Sequence, residues 1–101
     1  MTDVVLEFRR RLGIPVAKSL TLDDGFIVLL DYYEASKTGA TGNLFRLRAD
    51  GSLVWAVSRD ARDLVTDVQW REGKLVAWTW GCYMITLDRS TGTVLESAFT
   101  K

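Results

Sequence analysis

A chain of 101 residues with 48% apolar side chains has room for one domain and one core, which excludes both a multidomain architecture and a disordered tail. Thirteen basic residues balance thirteen acidic ones, so no global field draws the chain to nucleic acid or to an anionic membrane. There is one cysteine and no histidine, which excludes an intrachain disulfide, the commonest metal ligand and every nucleophile activated by imidazole.

The first segment admits two readings. Val4, Leu6 and Phe8 alternate as a strand would, and the strand is the expectation. Thr2 or Asp3 followed by Val5, Phe8 and Leu12, with Gly13 and Pro15 beyond, also fits a short capped helix. The charges here follow the apolar stretch, so the segment is not a signal peptide, and the chain is expected to be cytoplasmic. Arg9, Arg10 and Arg11 form the one local basic excess and read as a solvated face.

From Val16 onward the pattern is of short β-rich segments between turn signals. Val16 to Leu22 is one candidate strand, and Phe26 to Leu30 follows Asp23-Asp24-Gly25 as a second. Glu34 to Gly42 is small, polar and glycine-rich and reads as a long loop. Leu44 to Arg48 and Leu53 to Val57 flank Ala49-Asp50-Gly51, a strong hairpin signal. Asp60, Asp63 and Asp67, interleaved with Arg59 and Arg62, read as surface ion pairs. Leu64 to Trp70, Lys74 to Trp80, Tyr83 to Asp88 and Val94 to Glu96 supply four more candidate strands. No uncharged apolar run is long enough to span a bilayer.

The segments repeat. Gly25 before Phe26-Ile27-Val28-Leu29 matches Gly73 before Lys74-Leu75-Val76-Ala77, an offset of 48 positions; Gly51 matches Gly92, an offset of 41. Two units of four strands result, at 16–57 and 64–99, each close to the roughly 40–45 residues of a propeller blade. The fold class is therefore all-β: two four-stranded antiparallel meanders, blade-like. Two such units leave open faces and edges. Either they pack on each other as a sandwich or barrel, or copies close by oligomerisation, and a homo-oligomer is the expectation.

Gly81-Cys82-Tyr83-Met84-Ile85-Thr86-Leu87-Asp88-Arg89-Ser90-Thr91-Gly92-Thr93-Val94-Leu95-Glu96 resembles the repeat of quinoprotein-like (PQQ-like) β-propellers, and Gly42 to Trp55 is a looser copy. The resemblance implies that Trp55 stands where that family places its docking tryptophan, and that Glu96 replaces it in the second unit. The family's quinone enzymes use a complete ring with a metal and dedicated ligands. No such ligand set is present here, so neither cofactor nor metal is expected.

Chemistry-bearing residues are few. Asp23 and Asp24 read as a turn, because neighbours on a strand point to opposite faces. Cys82 reads as a small buried hydrophobe. The aromatic residues are more informative: Trp78 and Trp80, two apart, would share one strand face with Val76, and Trp70, Tyr83, Tyr32 and Tyr33 lie at or near strand ends. They read either as core or as a recognition surface, since tryptophan and tyrosine dominate binding hot spots. The functional expectation is a non-catalytic protein-interaction module, of the accessory or inhibitor/immunity type. The alternative is a self-assembling subunit with a small-molecule site between copies. An enzyme using aspartates comes third, carried by no constellation.

Overall fold

The computed structural model describes residues 3–59 and 63–100. The chain begins with a helix, α1 (Val4–Leu12), and continues as eight strands: β1 (Val16–Leu22), β2 (Gly25–Leu30), β3 (Leu44–Arg48), β4 (Leu53–Val57), β5 (Val65–Arg71), β6 (Lys74–Thr79), β7 (Tyr83–Leu87) and β8 (Val94–Phe99). A second, short helix, α2 (Tyr32–Lys37), lies between β2 and β3. The strands form two antiparallel sheets, β1-β2-β3-β4 and β5-β6-β7-β8, each in up-and-down order. The expected two units of four strands are present at the expected positions.

Two segments differ from expectation. Val4–Leu12 is helical, because capping decides it: the Asp3 carboxylate accepts the Leu6 N–H at 3.1 Å, and Gly13, at φ +71°, donates to the Arg9 carbonyl. Glu7 in the first turn and Arg9, Arg10 and Arg11 in the last complement the helix dipole. Leu6, which an alternating strand would bury with Val4 and Phe8, is exposed. The Thr2 alternative for the cap lies outside the described residues. The second difference is α2, which occupies the front of the expected loop. Asp31 caps it by accepting the Glu34 N–H at 2.9 Å, and Ala35 is fully buried beneath it.

One core joins the two sheets. Sheet one supplies Ile27, Leu29, Leu44, Trp55 and Val57; sheet two supplies Val65, Val68, Leu75, Ala77, Ile85 and Leu87. The register shows which faces meet. The first hairpin closes at Leu22 and Gly25 and the corresponding one at Arg71 and Lys74, so Gly25 aligns with Lys74. The sequence alignment of Gly25 with Gly73 is thus one residue out. With Ile27 equivalent to Val76 and Phe26 to Leu75, the two sheets contribute non-equivalent faces to the shared core.

The far face of sheet one is covered by α1: Phe8 packs on Val28, Leu30 and Leu47, and its ring meets Phe45 edge-on at 5.0 Å. The outward face of sheet two, equivalent to the core face of sheet one, carries the cross-strand rows Gln69–Val76–Thr86–Glu96 and Asp67–Trp78–Met84–Ala98. Where sheet one places the core pair Arg46 and Trp55, sheet two places Thr86 and Glu96. A glutamate where sheet one has Trp55 disfavours covering this face with a further apolar sheet.

Candidate functional site

Two devices lock the sheets together at opposite ends. At the end of the hairpin turns, the Trp55 indole N–H donates to the Arg89 carbonyl at 2.8 Å, and the ring lies against Gly92. A Cβ at position 92 would fall 2.7–2.9 Å from three atoms of that ring, and φ there is +76°. Only glycine combines that approach with that conformation. At the other end, Asn43 is 1% exposed. Its amide donates to the carbonyls of Leu30 at 2.9 Å and Val65 at 2.7 Å, and its Oδ1 accepts the Val65 N–H at 2.9 Å.

Around Asn43 the loops are fixed by a second network. Asp63 accepts the Gly81 N–H at 2.6 Å and pairs with the Arg59 guanidinium at 2.5 Å; Arg59 Nε also donates to the Asp63 carbonyl. Burial pushes the Asp63 carboxyl up, but hydrogen bonds from Arg59, Thr79 and Gly81 outweigh it and hold the group below the ordinary carboxylate range. The Trp80 N–H donates to the Leu64 carbonyl at 2.9 Å. The turn after β6 is thereby tied to the start of β5, which Asn43 ties in turn to sheet one.

On this rigid end sit three of the six aromatic residues singled out above. Trp80 stacks on Tyr32, ring centroids 5.3 Å apart and planes 23° from parallel, and still leaves 60% of its surface in water. Tyr33, next along α2, is exposed, with the Lys37 ammonium 4.8 Å from its ring centre. Trp80 lies beyond the end of β6, so it does not share a strand face with Trp78 and Val76 as the alternation suggested; the strand ends at Thr79 and the chain turns. Cys82, in that turn at φ +69°, is exposed and not the buried hydrophobe expected of it.

The other three candidates lie elsewhere. Trp70 is half-buried against the shared core, with the Arg89 guanidinium 5.9 Å from its ring centre. Trp78 is half-buried on the outward face of sheet two, with the Arg71 guanidinium 5.1 Å from its ring centre. Tyr83 opens β7 and packs on Phe99 of β8 at 5.4 Å. Phe99 and Leu95, both 59% exposed, were not legible as surface residues, because alternation gives no sign that one face of a strand overhangs its partner sheet.

An open cleft of about 610 Å³ lies among the hairpin turns, lined in part by Asp24, Arg46, Arg48 and Asp50. Most of its polar groups are bonded within the chain, although the buried Arg46 Nε has no partner among the described residues. Arg46 binds both oxygens of Asp24 and the Arg89 carbonyl, Arg48 binds Ser52, and Asp50 accepts from Ser52. Among the described residues no group of three or more Cys, Asp or Glu side chains is placed to hold a metal ion, and no helix is long and apolar enough to cross a membrane. The expected ion-pair partners Asp60 and Arg62 lie outside the described residues; Asp63 pairs with Arg59 and Asp67 with Lys18.

Residues 4–99 match a domain of unknown function, DUF7957. The chain belongs to that family. The match runs from the first residue of α1 to the last of β8, so the DUF7957 domain takes in the helix as well as both sheets. No curated protein and no solved structure matches the chain.

Proposed function

We propose that the domain is a non-catalytic protein-binding module that presents the Trp80–Tyr32 stack, with Tyr33 beside it, to a partner protein. The observation carrying this reading is the exposure of Trp80 on a turn held by hydrogen bonds to Asp63 and Leu64. An aromatic ring left in water costs nothing to reorganise when the turn beneath it is already fixed. Covering roughly 100–150 Å² of indole would contribute about 2.5–4 kcal/mol at about 25 cal/mol per Å², which is the magnitude of a binding hot spot. An accessory or inhibitor role in the cytoplasm fits the exposed, unbridged Cys82. The kinship with PQQ-like repeats belongs to the same proposal, and the docking of Trp55 from the first unit onto Gly92 of the second supports it.

The test is capture from the native lysate with tagged wild-type chain, Trp80→Ala and Trp78→Ala, each with a melting curve. Wild type and Trp78→Ala are expected to recover one heterologous protein near one-to-one. Trp80→Ala is expected to lose it while melting within a few degrees of wild type. A partner retained by Trp80→Ala, or none captured by wild type, refutes the reading.

A further inference from the structure

The hairpins that close β3 on β4 and β7 on β8 are built alike. In the first, the Arg48 N–H donates to the Ser52 carbonyl at 2.8 Å and the Gly51 N–H to the Arg48 carbonyl at 2.9 Å. In the second, the Asp88 N–H donates to the Thr93 carbonyl at 2.8 Å and the Gly92 N–H to the Asp88 carbonyl at 2.7 Å. Each turn adjoins a register shift in its hairpin, and both glycines are left-handed, at φ +91° and +76°. The second turn is one residue longer, and Gly51 and Gly92 hold the same place in the two.

The two glycines therefore face the same way from their sheets. At Gly92 that direction leads onto the Trp55 ring, with three of its atoms 2.7–2.9 Å from a Cβ placed there. At Gly51 it leads to α1, where Val4 Cγ1 lies 3.4 Å from the corresponding point. So α1 covers the turn of sheet one as sheet one covers the turn of sheet two, and Val4 stands where Trp55 stands. Valine is much smaller than an indole. Beside Val4 an open pocket of about 360 Å³ remains, walled by Glu7, Phe8 and Arg11 of α1 and by Asp50, Gly51 and Ser52 of the turn. That volume is in the range of small-ligand sites, roughly 300–1,000 Å³.

We propose that this pocket binds an indole ring supplied from outside the domain. The chain itself shows which ring closes on a glycine in this turn, since Gly92 holds the indole of Trp55. The charges around the pocket suit the same ring. The Arg11 guanidinium, 5.6 Å from the centre of the Phe8 ring, brings a cation to the pocket wall, where the electron-rich face of an indole is attracted. On the turn, the Asp50 carboxylate accepts the Ser52 hydroxyl at 2.7 Å and the Ser52 N–H at 2.9 Å. Those bonds hold its carboxyl below the ordinary range, so it stays ionised and can accept an indole N–H. Phe8, buried at 6% exposure, supplies an apolar wall. A phenyl ring would leave the carboxylate unused, and an anion would meet Asp50 and Glu7. The pocket lies at the hairpin-turn end, away from the Trp80–Tyr32 stack, so this inference stands independently of the partner-binding reading.

The experiment follows the amide shifts of the isotope-labelled chain during titration with indole, N-acetyltryptophanamide and the peptide Gly-Trp-Gly. Saturable shifts are expected at Gly51, Ser52 and the first turns of α1, with a dissociation constant on the order of 1 mM for indole itself. N-methylindole, which lacks the donor, is expected to bind about three- to tenfold more weakly, and Arg11→Ala to weaken indole about two- to fivefold. Val4→Trp fills the pocket from within and is expected to abolish the shifts with an unchanged circular dichroism spectrum. Glu7→Trp does the same from an exposed position, should Val4→Trp disturb the helix. Trp80→Ala is expected to bind as wild type does. Tighter binding of the peptide than of indole assigns the site to a tryptophan on a partner chain; binding of indole with the peptide excluded assigns it to a free indole compound. Either result supports the site. The absence of saturable shifts at Gly51 and Ser52 for all three probes at their solubility limits overturns it. So do N-methylindole binding as tightly as indole, binding undiminished in folded Val4→Trp and Glu7→Trp, and shifts confined to the Trp80–Tyr32 end.

Discussion

Replacing Asn43 with alanine tests whether one buried amide joins the two sheets. Three hydrogen bonds of 2.7–2.9 Å disappear, and the Val65 N–H loses its partner in a site 1% exposed. At about 1 kcal/mol for each bond, plus about 1–2 kcal/mol for the orphaned donor, the loss is about 4–5 kcal/mol. A domain of this size has about 5–15 kcal/mol in all, so Asn43→Ala is expected near the margin of folding. Its melting temperature should fall by roughly 15–40 °C. Urea unfolding followed by tryptophan fluorescence measures the change directly. Asn43→Asp sharpens the test, because the Oδ1 acceptor is kept while a carboxylate is set against the Leu30 and Val65 carbonyls. Burial and those carbonyls push such a carboxyl up in the folded chain, above its unfolded value. The variant therefore gains stability, relative to wild type, as the pH is lowered from neutrality toward about 4. A loss below about 1 kcal/mol for Asn43→Ala, or an Asn43→Asp variant with the pH profile of wild type, would refute the bridging role.

Two further outcomes follow from the same geometry. Trp55→Phe keeps a ring on Gly92 but removes the donor to the Arg89 carbonyl, and should cost about 1–2 kcal/mol by urea titration; Gly92→Ala, which meets both the ring and the positive φ, should cost more. Asp63 and Asp67 both titrate below the ordinary carboxylate range in the folded chain, burial opposing and hydrogen bonds from Arg59 and Lys18 prevailing. The unfolded chain then takes up protons first on acidification, so wild-type stability is expected to be full above about pH 4 and to fall below it, with a shallower fall in Asp63→Asn, measured by denaturant midpoints from pH 2.5 to 6.

The eight strands and their division into two units were legible because local rules suffice for them. Alternation or a continuous apolar run marks each strand, and Asp50-Gly51 and Thr91-Gly92 mark tight hairpins whose strands must be neighbours. The helix over Val4–Leu12 was not settled by pattern, since Val4 and Phe8 suit both periods; the Asp3 cap and the apolar face of sheet one that needed covering chose the helix. Likewise the aromatic residues could be found by composition but not sorted. Trp55, Trp70, Trp78 and Trp80 are one residue type with four fates. Trp55 is core, Trp70 and Trp78 lie half-buried on opposite faces of one sheet, and Trp80 stands in solvent on a turn. What separates them is which face of each sheet meets the other and where β6 stops. The sequence by itself determined the strands, the hairpins and the repeat, because each depends on residues near in the chain. Only the tertiary structure decided the stacking of the units, the covering of one face by α1 and the overhang of β8, because those depend on surfaces formed by residues far apart in the chain.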